Sequence, residues 1–238
     1  MSQYIGHILI CGYEPGSRML LDTLADELDL EKHDVVLFAP RDRPADVPPA
    51  FRWLSGDPTK ESELDKARVA YAGTVVVVGS RADLPQQADA RTILTVFTLR
   101  RYLKQQDTSR RQRPLYIVAE ILDAENVEHA RTAGADEVIE TTRIGFSMVA
   151  HAIEVPGAAT ILGELADVRG HSLFVGPVPE SLQGGKTFGE VAAALKDAHN
   201  IMVLGLRADG QDRLAPQNDE IVGDAHMLVY LGVSPVLG

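Results

Sequence analysis

A single cysteine, Cys11, rules out an internal disulfide and any zinc site built from cysteines, and it fits a reducing compartment. Basic residues are in deficit. Twenty-three Lys and Arg stand against 34 Asp and Glu, a formal net charge of −11, which argues against nucleic acid or an anionic membrane surface as partner. Long apolar runs are missing. The uncharged stretches around Ala70–Ser80 and Ile144–Ile153 fall well short of the roughly 20 residues that a membrane-spanning helix needs. The start of the chain leads into a short strand pattern rather than a secretory leader. The expectation is a soluble chain that serves a membrane, if at all, as an attached part. The seven histidines lack metal-ligand spacing, with His7 at a strand start and His129 and His151 on separate helical stretches. No Ser-His-Asp or Cys-His arrangement and no tandem repeat is evident.

What is present is an alternation. The runs 7–12 (HILICG), 34–39 (DVVLFA), 51–57 (FRWLSGD), 74–79 (TVVVVG), 114–120 (PLYIVAE) and 136–140 (DEVIE) read as strands. Between them, Leu20, Leu24 and Leu28 (beside Leu21 and Ala25), then Leu64 and Ala67, then Ile93, Leu94 and Phe97, then the AENVEHARTAGA segment mark helices. Strands alternating with helices over about 140 residues predict an α/β, doubly wound parallel sheet, which binds ligands at the carboxyl ends of its strands. The polar stretch 104–114 reads as a surface loop. After residue 143 two helices follow, broken at Pro156–Gly157 and apolar on more than one face, as interface helices are. The rest predicts a small α+β lobe: a strand in HSLFVGPVP, a helix in TFGEVAAALK, a strand in NIMVLGLR, a turn at ADGQDR and a strand in DAHMLVYLG.

The first strand runs into CGYEPGS. A dinucleotide loop uses three glycines, for the tight turn, for backbone approach to the pyrophosphate and for helix packing. Gly12 fills the first position, Glu14 and Ser17 hold the other two, and Gly16 is offset by one. Glu14 brings negative charge where an anion should sit, and Pro15 removes a donor. No acid ends the second strand, where Ala39 and Pro40 stand, to bind a ribose. On its own the turn specifies tight geometry as readily as a phosphate cradle.

The middle of the chain carries more. The segment 55–78 (SGDPTKESELDKARVAYAGTVVVV) resembles the RCK domain, the regulator of potassium conductance, found in ligand-gated potassium channels and in Trk and Ktr uptake regulators. It has that family's Gly-Asp-x-Thr turn, Leu-x-x-Ala helix and apolar strand. Residues 118–140 resemble the next block, with its Glu after the fifth strand and its Ala-Gly-Ala-Asp-x-Val-Ile ending. Residues 223–232 resemble the closing strand of the carboxy-terminal lobe. The resemblance implies a Rossmann-like lobe over 1–142, a helical crossover for dimerisation over 143–167 and a carboxy-terminal lobe over 168–238. It also implies homodimers assembling into an octameric ring, attached through a potassium-channel pore or transporter subunit to the inner face of the cell membrane. No catalysis and no nucleic acid are expected.

Carried over by position, a nucleotide would meet Gly12, Tyr13, Glu14, Gly16, Ser17, Arg41, Asp57, Pro58, Thr59, Gly79, Ser80 and Glu120. Asp57 and Thr59 serve equally well as the start of a helix with Pro58 near its first turn. Glu14 and the missing ribose acid favour ADP or ATP over NAD or NADH. Calcium-gated relatives gather several carboxylates near Glu120. Here Gly79, Ile121 and Leu122 leave Glu120 alone, whereas calcium takes 6–8 oxygens. Glu164 and Asp167 are further candidates for a divalent cation, Ca2+ or Mg2+. Two alternatives stay open: an NAD(H)-dependent oxidoreductase, and a ring scaffold whose nucleotide site no longer functions.

Overall fold

The computed structural model describes residues 5–14, 17–107, 111, 113–166 and 170–237. The chain divides into two compact units, 1–150 and 151–238. In the first, β1 (Ile8–Cys11), α1 (Arg18–Glu27), β2 (Val35–Ala39), β3 (Arg52–Ser55), α2 (Glu61–Leu64), β4 (Thr74–Val77), α3 (Pro85–Gln105), β5 (Tyr116–Ile121), α4 (Val127–Ala133) and β6 (Glu137–Glu140) follow in order. The six strands form one parallel sheet in the order β3-β2-β1-β4-β5-β6. The doubly wound sheet expected from the alternation is therefore present. Its central strands β2, β1, β4 and β5 are largely apolar runs because both faces are covered, while the edge strands β3 and β6 carry charged and exposed residues. Leu9, Cys11, Phe38, Val75 and Ile117 pack on one side, and Ile10, Leu21, Leu37 and Phe51 on the other. Cys11 pairs with Phe38 on β2 and Val77 on β4, so three strands end together at the point where the sheet order reverses.

The helix marked by Ile93, Leu94 and Phe97 is α3; Leu94 and Phe97 are 49% and 51% exposed on it, while Thr92, Thr95 and Thr98 are buried with Val96 and Leu99. Burial is tolerated because Thr95 and Thr98 donate their hydroxyls to the carbonyls of Arg91 (2.8 Å) and Leu94 (2.7 Å) in their own helix. In the 104–114 stretch, Arg111 donates to the carbonyls of Ala70 (2.7 Å) and Ala72 (2.6 Å), clamping the turn before β4. Residues 108–110 and 112 of that stretch lie outside the described residues.

At the opposite end of the strands His7 is buried, its Nε2 3.0 Å from the Ala67 carbonyl. Burial lowers its pKa below the ordinary 6.5, against the raising effect of that hydrogen bond. The neutral ring is compatible with the fold. As pH falls below 6.5 the unfolded chain takes up the proton first, so stability declines. Replacing His7 with Gln should flatten this part of the acid limb, read as the difference in unfolding free energy between variant and parent from pH 7 to pH 5.

α5 (Thr141–Glu154) leads out of the first unit, and α6 (Ala158–Ala166) follows a break in which Gly157 takes φ +89°. α5 contains no buried residue, and Ile144, Phe146, Val149 and Ile153 are all exposed. The second unit continues with β7 (Ser172–Pro177), α7 (Phe188–His199), β8 (Met202–Ala208), β9 (Gln211–Leu214) and β10 (Met227–Gly232), an antiparallel sheet in the order β7-β10-β8-β9. α7 starts with a reciprocal cap between Thr187 and Glu190 and packs Phe188, Val191 and Leu195 against Val203, Leu206, Leu228 and Tyr230. β9 adds an edge strand to the expected turn. Among the described residues no helix is long and apolar enough to cross a membrane.

Candidate functional site

The carboxyl ends of β1, β2 and β4, the turn after β3 and one flank of α3 enclose a cleft of about 470 Å³, a volume ordinary for a small-molecule site. Gly12, Tyr13, Glu14, Arg41, Asp57, Pro58, Thr59 and Ser80 line it. Gly12 is obligatory: its φ is +96°, and a Cβ there would lie 2.5 Å from the Val78 carbonyl oxygen. Gly12→Ala should therefore destabilise the unit by about 2 kcal/mol or more, a loss that thermal denaturation would register.

Tyr13 is not a ligand-facing ring. It is fully buried, meets Trp53 edge-on at 6.0 Å and donates its hydroxyl to Asp46 at 3.1 Å. Burial, with Asp46 as acceptor, pushes its hydroxyl pKa up to about 12. Glu14 extends into the cleft with a side chain 15% exposed. Ser80 donates its hydroxyl to one Glu14 oxygen at 2.8 Å, and Arg41 approaches the other at 3.5 Å. The Arg41 carbonyl accepts from the Trp53 indole at 3.1 Å, while its own Nε is buried without a hydrogen-bond partner.

Asp57 does not cap α2, which begins only at Glu61 with Lys60 as its flanking residue. Its Oδ1 accepts from the Thr59 backbone N–H (3.0 Å) and hydroxyl (2.7 Å), closing a tight turn with Pro58 inside it. Burial pushes the Asp57 carboxyl up, but the Thr59 and Lys60 hydrogen bonds outweigh it and hold the pKa below the usual range. The group is a fixed anion facing the cleft.

Ser17, Gly79 and Glu120 do not line the cleft, and Gly16 lies outside the described residues. Ser17 flanks the start of α1 without a side-chain cap bond. Glu120 is buried at the end of β5. It accepts from the Gly79 N–H (3.0 Å), the Thr141 hydroxyl (2.7 Å) and the Arg81 guanidinium. A carboxylate so engaged, with a guanidinium on it, does not fit a divalent cation. Glu164 is exposed on α6, and Asp167 lies outside the described residues. Among the described residues no group of three or more His, Cys, Asp or Glu side chains is placed to hold a metal ion. Burial pushes the Cys11 thiol well above its ordinary pKa, so this floor residue of the cleft is an inert small side chain. No sequence pattern announces the α3 contribution: Arg91, Thr92, Leu94 and Thr95 also line the cleft.

A family model for the calcium-activated potassium channel slowpoke-like RCK domain matches residues 3–133. The calcium-gated potassium channel TvoK of Thermoplasma volcanium is 24% identical over 233 residues, covering 94% of this chain and 62% of that channel. The chain thus spans less than two thirds of that relative's length. The human SLO3 gating ring has a TM-score of 0.73 at 15% identity, covering 96% of this chain and 44% of that one. The GsuK RCK domain has a TM-score of 0.48 at 22% identity, covering 95% and 44%.

Proposed function

The chain belongs to the slowpoke-like RCK domain family of potassium channels, and from that premise we propose that it is a cytosolic gating-ring domain. In this reading it senses a small ligand in the β1–β2–β4 cleft and passes the change to a potassium pore. The ring is built from homodimers, eight domains in all, with the exposed apolar faces of α5 and α6 as dimer surface. An adenine mononucleotide is the preferred ligand. Asp57 offers an acceptor to a ribose or base, and Arg41 supplies charge. NAD or NADH is disfavoured because Ala39 ends β2 without a ribose-binding acid.

The observation that carries this reading is a run of three residues after β4. Ser80 bonds Glu14 inside the cleft, while its neighbours Gly79 and Arg81 both bond Glu120, which also holds Thr141 at the first position of α5. A ligand that displaces Glu14 from Ser80 therefore pulls on the anchor of the dimer helix. A ligand shifts the ring only by its differential affinity for two states, and a coupling of about 1–3 kcal/mol per site is typical.

A thermal-shift panel with ADP, ATP, NAD+, NADH, Ca2+ and Mg2+ tests the ligand. Binding at 100 times Kd stabilises the folded state by about 2.7 kcal/mol. Asp57→Ala should weaken adenine-nucleotide binding about tenfold or more. A variant with lower stability but unchanged affinity would make Asp57 a turn residue only. The coupling is read by hydrogen exchange at residues 141–150. Nucleotide should change protection there in the parent and not in Arg81→Gln, whose nucleotide affinity stays near the parent value. No shift with any compound would favour a ring scaffold, a reading supported by Glu14 already filling the turn between Ser80 and Arg41.

A further inference from the structure

We infer that the cleft recognises the phosphate of its ligand from the α3 wall, through Arg91, and not from the glycine turn. The inference rests on the adenine-nucleotide reading above and concerns how that ligand lies. At the turn, the position that would admit a pyrophosphate holds Glu14, pinned by Ser80 at 2.8 Å. A carboxylate there opposes a phosphate within a few ångströms, where like charges in a half-buried site repel strongly. Arg41 offsets that charge only loosely, at 3.5 Å, and remains bound to the Glu14 side of the cleft.

The α3 wall differs. Arg91 lines the same cleft from α3. Its one ion pair among the described residues, with Asp83, spans 3.7 Å, beyond hydrogen-bond length, and its side chain is 59% exposed. Its guanidinium is therefore available to make the two parallel bonds that a phosphate accepts. Thr92, on the same turn of α3, also lines the cleft. Asp57 lies on the turn after β3, closed on Thr59 and paired with Lys60 at 3.3 Å, a turn whose Thr59 carbonyl accepts from Thr98 of α3 at 3.4 Å; its fixed negative charge suits an uncharged ribose or base and repels phosphate. The charges thus orient the ligand with its sugar toward Asp57 and its phosphate toward Arg91. The class implied is a nucleoside mono- or diphosphate with a compact phosphate end, rather than a dinucleotide stretched along the glycine turn.

The test is a calorimetric comparison of adenosine, AMP and ADP on the whole chain, with Arg91→Gln, Arg91→Lys and Glu14→Gln. In the parent, AMP and ADP should bind at least tenfold more tightly than adenosine. Arg91→Gln should remove that advantage while leaving adenosine unchanged, Arg91→Lys should restore part of it, and Glu14→Gln, which removes a charge that repels phosphate, should tighten AMP and ADP. A parent that binds ADP tightly, with Arg91→Gln equal to it, overturns the inference and leaves the nucleotide reading intact. Failure of all three compounds to bind the parent overturns both.

Discussion

Asp89→Ala is expected to destabilise the first unit by about 3–5 kcal/mol, lowering its melting temperature by about 10 °C. Asp89 is fully buried on α3. One of its oxygens accepts the Leu122 N–H at 2.9 Å, and the other accepts the Asp123 N–H at 3.0 Å and the Asn126 side-chain amide at 2.9 Å. Those donors belong to the chain just after β5, where no sheet neighbour serves them. Alanine would leave two backbone N–H groups and an amide facing a void, and unpaired buried donors carry their full desolvation cost. Asparagine should recover only part of the loss, since its amide turns a donor toward donors. The transition can be followed in urea through Trp53, the chain's single tryptophan, which belongs to this unit. A loss below about 1 kcal/mol would mean that water replaces Asp89.

The same contrast between apolar and polar signals governs how much was legible in the sequence. β1, β2 and β4 are readable because each is a largely apolar run buried on both faces, and their ends, with the turn after β3, place Gly12, Glu14, Arg41, Asp57 and Ser80 around one cleft. β9 was not readable, because all four of its residues, Gln211 to Leu214, are exposed and no alternation is imposed on them. α3 is legible as a helix from Ile93, Leu94 and Phe97, but its buried threonine face is not, since a threonine that bonds its own helix carbonyl is apolar in effect and polar in name. The same silence covers Arg91, which lines the cleft beside Thr92 and Thr95. The Arg81–Glu120 pair joins residues 39 positions apart, and no local spacing announces it. Asp-Pro-Thr in sequence serves a ligand turn and a helix start equally well; the side-chain bonds to Thr59, with α2 beginning only at Glu61, exclude the helix start.

Phe146→Asp combined with Val149→Asp is expected to dissociate the proposed dimer while leaving the fold of each chain intact. The two residues are 70% and 61% exposed on α5, three positions apart and so on one face. Exposed positions that contribute nothing to a core tolerate substitution within about 0.5 kcal/mol, so circular dichroism and the melting temperature measured at low protein concentration should barely change. Across an interface the same side chains would be central. Burying a phenylalanine and a valine contributes about 1.5–3 kcal/mol each, and two carboxylates per chain facing their symmetry mates add desolvation and repulsion. The dimer dissociation constant should rise about a thousandfold or more, and light scattering at micromolar concentration should report the monomer mass. A dimer that persists at full strength would remove α5 from the interface. A variant that melts early would show that this face is packed within its own chain. Loss of the dimer alone would make α5 both the end of the Ser80–Arg81–Glu120–Thr141 chain of contacts and the surface on which ring subunits meet, so that a ligand in the cleft acts on assembly geometry through one helix.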